Sequence, residues 1–205
     1  SSTFDGGFLF GRAGFDYFIN NRSTLSTNFF MGGGKFDSYN SNTLLTDTLT
    51  NPVKQSLVER FSNANREFNF KGVSLNFKHN FPKAGREFTA DINYRGRKGP
   101  NDNLISTFVY NSDLVTVASE QLQRQLGEGS NRNLTFQADF INPLKKKKKM
   151  EMGVRAEFEN EESDNAFYSV DPNTGQVSTT PTNPVKYNST ERVLAAYGTY
   201  TNKIK

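Results

Sequence analysis

Apolar and polar residues alternate without a fault from Glu87 to Lys98: Phe88, Ala90, Ile92 and Tyr94 share one parity, Thr89, Asp91, Asn93 and Arg95 the other. A period of two predicts a β-strand with one oily and one wet face. The pattern returns in Asn133–Phe140, where Leu134, Phe136, Ala138 and Phe140 alternate with Asn133, Thr135, Gln137 and Asp139. It returns again in Met150–Glu159, where Met152, Val154, Ala156 and Phe158 alternate with Glu151, Arg155, Glu157 and Glu159. The polar set is too charged for a protein core, and the apolar set too regular for a solvated surface. An all-β, antiparallel transmembrane β-barrel meets both conditions, with lipid outside and water or a polar plug inside.

Turn signals divide the chain evenly. Asn20-Asn21-Arg22-Ser23, Pro82-Lys83-Ala84-Gly85-Arg86 and Asn142-Pro143 begin about 60 residues apart, and Asn202-Lys203 falls where a fourth is due. Between them lie long polar segments, Phe36–Arg66, Gly99–Arg132 and Asn160–Thr190. Short and long connections therefore alternate, as tight periplasmic turns and long extracellular loops do in bacterial barrels. About seven strands follow. The first, Gly7–Ile19, puts Leu9, Gly11, Ala13, Phe15 and Tyr17 toward lipid; the second, Thr24–Lys35, puts Leu25, Thr27, Phe29 and Met31 there. The third, Phe68–Phe81, turns Val73, Leu75 and Phe77 outward and Ser74, Asn76 and Lys78 inward. Phe68 and Phe70 break its parity, which predicts a bulge or an exit from the membrane. The three strands already described are fourth to sixth. In the seventh, Glu191–Thr201, Val193-Leu194-Ala195-Ala196-Tyr197 blurs the alternation and leaves the faces open. Leu104–Tyr110 and Leu114–Ala118 read as strand extensions, and Asp171-Pro172-Asn173-Thr174-Gly175 as a tight turn. Weak helical spacing marks Val53–Ala64, and Ser119–Leu126 has room for a turn or two of helix. Seven strands do not close an even-numbered barrel. Either Ser1–Gly6 or a loop segment supplies an eighth, or residues 1–205 are one segment of a larger barrel whose remaining strands lie elsewhere; the second is the expectation.

Composition agrees with a barrel more than with a helical membrane protein. Only 34% of the residues are hydrophobic and the mean hydropathy is −0.69. No stretch approaches the roughly 18 apolar residues of a spanning helix. The 19 Phe and 8 Tyr favour strands and membrane interfaces. Cysteine is absent, so no disulfide or thiol chemistry is available. Ser1-Ser2-Thr3 carries no signal peptide, so an exported protein is expected here as a mature or internal piece. The formal charge of +4 rests on Lys145–Lys149, without which it is −1. There is no dispersed basic face for nucleic acid, and the lysine run reads as a solvated turn.

Candidate chemistry is sparse. Asp91, Arg95, Arg97, Arg155 and Glu157 have inward parity, where they contact a plug, line a solute path or simply hydrate the lumen. His79 is the sole histidine and reads as an interfacial structural residue rather than a metal ligand. Gly32-Gly33-Gly34-Lys35 lacks the Ser/Thr and the helix of a phosphate loop and reads as a flexible strand end or bulge. Glu157, Glu159, Glu161, Glu162 and Asp164 offer oxygens for Ca²⁺ but without EF-hand spacing, so a solvated strand extension is expected. Nothing fixes a nucleophile beside His79, no cofactor is called for, and a non-enzymatic role is expected.

Gly11-Arg12-Ala13-Gly14-Phe15-Asp16-Tyr17, Phe81-Pro82-Lys83-Ala84-Gly85-Arg86-Glu87-Phe88-Thr89-Ala90-Asp91, Asn131–Phe140, Met152-Gly153-Val154-Arg155-Ala156 and Ala195-Ala196-Tyr197 resemble the barrel of Bacteroidetes TonB-dependent outer-membrane receptors. The resemblance covers most of the chain through strand texture rather than an invariant signature. It implies a 22-stranded barrel around an N-terminal plug, energised through a TonB-engaging peptide. Neither the plug nor that peptide is visible here, so it implies around a third of the barrel wall. The partners it implies are membrane lipid, the remaining strands and plug, the TonB system and an extracellular ligand that these residues do not name. The function expected is import of a bulky nutrient across the bacterial outer membrane. The rivals are a structural barrel subunit of an outer-membrane or secretion assembly, and a soluble β-sandwich adhesin with its apolar faces buried against each other.

Overall fold

The computed structural model describes residues 1–48, 54–144 and 148–202. Every regular element among them is a strand: β1 Ser2–Asn20, β2 Ser23–Thr48, β3 Lys54–Asn80, β4 Glu87–Tyr110, β5 Val117–Pro143, β6 Lys148–Val170 and β7 Val185–Asn202. They form one antiparallel sheet in chain order, β1 to β7, each strand bonded to its sequence neighbours. The sheet is not closed: β1 and β7 are its two edges.

A sheet this size normally needs a second layer to bury one face. None is present, and no large side chain among the described residues is fully buried. The two-sheet sandwich is thereby excluded, for Phe136 and Phe158 remain 39% and 41% exposed instead of packing between sheets.

Register explains the arrangement of the faces. Directly opposed residues of neighbouring strands project to the same side. Thr27, Leu75, Ile92, Phe136, Ala156 and Leu194 make one such row across β2 to β7. Leu25, Phe77, Ala90, Ala138, Val154 and Ala196 make the next. Rows above and below hold Phe29, Val73, Tyr94, Leu134 and Phe158, and His79, Phe88, Phe140 and Met152. These four rows make an apolar band seven residues tall, Phe88 to Tyr94 on β4 and Leu134 to Phe140 on β5, a little under the 9–11 residues a tilted strand needs to cross a bilayer. On β1 the same side carries Leu9, Gly11, Ala13, Phe15 and Tyr17, through their pairing with Gly33, Met31, Phe29, Thr27 and Leu25. Pairing also fixes β7, whose faces the sequence left open: Leu194, Ala196 and Gly198 join the apolar side, Val193, Ala195 and Tyr197 the other.

Four expectations need correction. Residues 54–64 of the segment read as weakly helical are strand, and so is Ser119–Leu126; Val53 lies outside the described residues. Gly32–Gly34 is neither a frayed end nor a bulge but the middle of β2, in unbroken register with β1 and β3. No bulge occurs at Phe68 and Phe70, which keep register with Gly34 and Gly32 and face the polar side. Much of each long polar segment is strand, since β2 to β6 are 23 to 27 residues long. At about 3.4 Å per residue they overshoot a 30 Å hydrocarbon layer severalfold in contour length. The connections that remain are residues 111–116 and 171–184, with 49–53 outside the described residues. Asp171–Gly175 is the tight turn expected, with Gly175 at φ 70° donating its amide to the Asp171 carbonyl at 2.8 Å. Of the lysine run, 145–147 lie outside the described residues, while Lys148 and Lys149 open β6. At the last turn signal, Asn202 ends β7 and Lys203 is also outside them.

Candidate functional site: the polar face of the sheet

Opposite the apolar band, the sheet divides laterally into two chemistries. On β4 to β6 the face is charged. Arg95 and Arg97 of β4 stand opposite Asn133 and Asn131 of β5, which in turn stand opposite Glu159 and Glu161 of β6. Asn133 Nδ2 donates to Glu157 Oε1 at 2.8 Å and Asn131 Nδ2 to Glu159 Oε1 at 2.6 Å. The amides thus tie the acidic ladder of β6 to the strand beside it.

All five residues singled out from the sequence, Asp91, Arg95, Arg97, Arg155 and Glu157, lie on this face. The sheet brings only some of them together. Arg155 Nη2 donates to Glu157 Oε2 at 2.8 Å. Asp91 is opposed to Gln137, which is opposed to Arg155, so two strand spacings, about 10 Å, separate that acid and base. Asp91 instead accepts a hydrogen bond from Asn76 Nδ2. Arg97 lies over the Phe68 ring, 5.4 Å from its centroid. Arg95 has no ion pair or hydrogen-bond partner among the described residues.

On β1 to β3 the same face is aromatic, which the sequence reading missed. Phe4 stacks on Phe36 at 5.0 Å between ring centroids, Phe36 on Phe68 at 5.6 Å, and Phe68 on Phe70 at 6.2 Å. Phe10 and Phe30 flank Phe70. Glycine opposite most of these rings makes this possible, Phe4 being paired with Ser38. Phe70 is paired with Gly32, whose missing Cβ would stand 2.5 Å from the ring tip, and Phe30 lies where a side chain on Gly72 would go. The signal was present: Phe30, Phe68 and Phe70 share the parity of Gly32, Gly34 and Gly72 once register is known. Where rings and charges meet, Phe4, Phe36, Phe68, Arg66, Arg97 and Glu161 line an open groove of about 580 Å³. It offers stacking surfaces, two guanidinium forks and a carboxylate to whatever lies against it.

The remaining candidates are dispersed. Glu157, Glu159 and Glu161 face one side of β6 and Glu162 and Asp164 the other, so the acidic stretch gathers no shared metal cage; no group of three or more potential metal ligands occurs among the described residues. His79 does meet a hydroxyl, contrary to expectation: Ser23 Oγ is 2.8 Å from His79 Nδ1, and Phe81 packs edge-on against the imidazole at 4.6 Å. Ser23 is 5% exposed at the rim of the apolar band, and no carboxylate orients the ring among the described residues. The pair satisfies a buried hydroxyl and lacks the access and the third group that a nucleophile needs.

A single-layer sheet, apolar and continuous on one side and charged on the other, is the wall of a membrane-spanning barrel. Sequence comparison agrees. Residues 79–205 match the outer membrane protein beta-barrel family, and the chain belongs to that family. Its place is the bacterial outer membrane. No curated protein matches the chain.

Proposed function

We propose that this sheet is part of the wall of a Bacteroidetes TonB-dependent receptor that imports a bulky nutrient and performs no chemistry on it. The observation that carries the reading is a seven-stranded meander with both edges open. Unpaired edge N–H and C=O groups cost several kcal/mol each in hydrocarbon, so β1 and β7 continue into further strands of a wide barrel. A wide lumen in such receptors holds a plug, and a wall charged on β4 to β6 and aromatic on β1 to β3 suits a folded occupant better than a column of water. The tight turns at 21–22 and 81–86 face the periplasm, and the strand extensions and the 171–184 loop face outward, where ligand first arrives.

The test is energy dependence. Uptake of the cognate nutrient by cells carrying this protein should stop when the inner-membrane proton gradient is collapsed or TonB is deleted, with the protein still folded in the outer membrane. Uptake that persists in both cases, or an outer-membrane assembly that falls apart without the protein while uptake continues, supports the structural-subunit role instead.

A further inference from the structure

Two hollows on the apolar face run into one another where the lipid-facing band ends, on the side away from the tight turns. The first, of about 660 Å³, has Gly11, Ala13, Phe29, Met31, Val73 and Tyr94 among its walls. The second, of about 440 Å³, has Lys71, Tyr94, Gly96, Lys98, Ser130 and Arg132. Met31, Lys71 and Tyr94 belong to both. No carboxylate among the described residues lines the second hollow.

Register builds the second hollow. Lys71 is opposed to Gly96, and Gly96 to Arg132, so two cations about 10 Å apart along the row flank a position without a side chain. The site of the missing Gly96 Cβ is 3.4 Å from the Tyr94 hydroxyl, which rises from the row below. Further out the lysines are neutralised across strands: Lys98, one row beyond, by Glu128, and two rows beyond, Lys35 by Glu67 at 3.2 Å and Lys186 by Asp164 at 2.7 Å. Lys71 and Arg132 have no ion-pair partner among the described residues. Unpaired cations at the border of a lipid-facing band, with a tyrosine hydroxyl between them, are complementary to an anionic headgroup.

We propose that the joined hollows seat one phosphate-bearing lipid. Its phosphate lies over Gly96, held by the Arg132 fork, the Lys71 ammonium and the Tyr94 hydroxyl. One of its acyl chains follows the apolar hollow along Met31, Phe29 and Val73. Continuity of the two hollows is what favours a lipid over a free phosphate ion. The site rests on the apolar face lying in the bilayer and is independent of any receptor function, so loss of energised uptake and loss of bound lipid are separate failures.

The experiment is native mass spectrometry of the delipidated, detergent-folded protein with phosphatidic acid, with phosphatidylcholine of equal chain length, or with inorganic phosphate. Phosphatidic acid should be retained, and the Lys71→Gln/Arg132→Gln double variant should retain it about tenfold less well, the scale of a lost charge-assisted pair. Lys35→Gln/Lys186→Gln makes the same charge change in the paired row and should leave retention unaltered. Gly96→Leu keeps every charge, fills the notch and should also release the lipid. Circular dichroism monitors folding, and Gly96→Leu decides alone if the first double variant does not fold. Equal loss in both double variants would reduce the site to diffuse charge, and competition by inorganic phosphate as strong as by phosphatidic acid would make it a free-anion site. Undiminished retention in Lys71→Gln/Arg132→Gln or in Gly96→Leu also overturns the proposal.

Discussion

Ile92 and Gln137 sit on neighbouring strands, one row apart in height, yet they project to opposite sides of a sheet one residue thick. Ile92 is 42% exposed, a wasteful placement in water and a favourable one in lipid. Arginine at Ile92 or Phe136 should therefore destabilise the membrane-inserted state by about 2–4 kcal/mol, with Thr89→Arg or Gln137→Arg far milder. Urea unfolding from lipid vesicles measures all four, and equal effects on the two faces would contradict the assignment. Gly72 tests the aromatic side. Valine there displaces the Phe30 ring and should cost about 1–3 kcal/mol, the range for overpacking. Adding Phe30→Ala should recover part of the loss, read as a coupling energy in a double-mutant cycle.

Strands were legible in the sequence in proportion to the contrast between their surroundings. β4, β5 and β6 alternate cleanly where one side meets lipid and the other does not, and Asp91, Arg95, Arg97, Arg155 and Glu157 were all placed on the polar face from parity alone. Residues 54–66 and 117–130 lie beyond the apolar band, so their strands carry no apolar period and read as loop or weak helix. Their register is inherited from the membrane-embedded half of the same strand. Arg124 and Asp102 illustrate this outer region: Arg124 Nε donates to Asp102 Oδ1 at 2.9 Å, and that bond holds the carboxyl below its ordinary range. The aromatic stripe escaped notice because Phe29 and Phe30 are adjacent, and only pairing shows which face each serves.

The 171–184 connection folds back onto its own strand, with the Ser178 and Thr182 amides donating to the Ser169 and Phe167 carbonyls at 2.8 Å. At its tip the Asn173 amide donates to Asp171 Oδ1 at 2.8 Å, and this bond, with help from Thr174, lowers the Asp171 pKa. A lowered folded-state pKa means that the turn's extra stability is present above the unfolded value of about 3.9 and disappears as pH falls through the folded value. The Asn173 amide resonance should titrate with a midpoint below 3.9, and Asp171→Asn should abolish the transition. A midpoint at or above that value counts against the turn. Protease added to intact cells should nick 171–184 and spare 81–86; the reverse would invert the orientation proposed above.

For the whole molecule, the separation of β1 from β7 distinguishes a wide barrel from one that closes on this chain alone. The absence of cysteine makes site-directed spin labelling clean. Labels at Asp16→Cys and Ala195→Cys, both on the polar face, should lie some tens of ångströms apart if further strands intervene, because each strand adds roughly 4.8 Å of circumference. A separation near one strand spacing would show β1 bonded to β7 and would rule out the wide barrel.

Strict chain-order pairing also governs how such a wall is made. Every partnership is between consecutive strands, so each hairpin can zip onto the last with only a short loop to close, and no strand waits for a distant one. The same order has a hazard: adding a strand relocates the sticky margin of the sheet but never eliminates it. Until the first and last strands of the finished cylinder meet, the growing wall is a template for any stray strand nearby. Its assembly is safe only if the margin is shielded throughout, so the period of greatest aggregation risk lasts until the final hairpin docks.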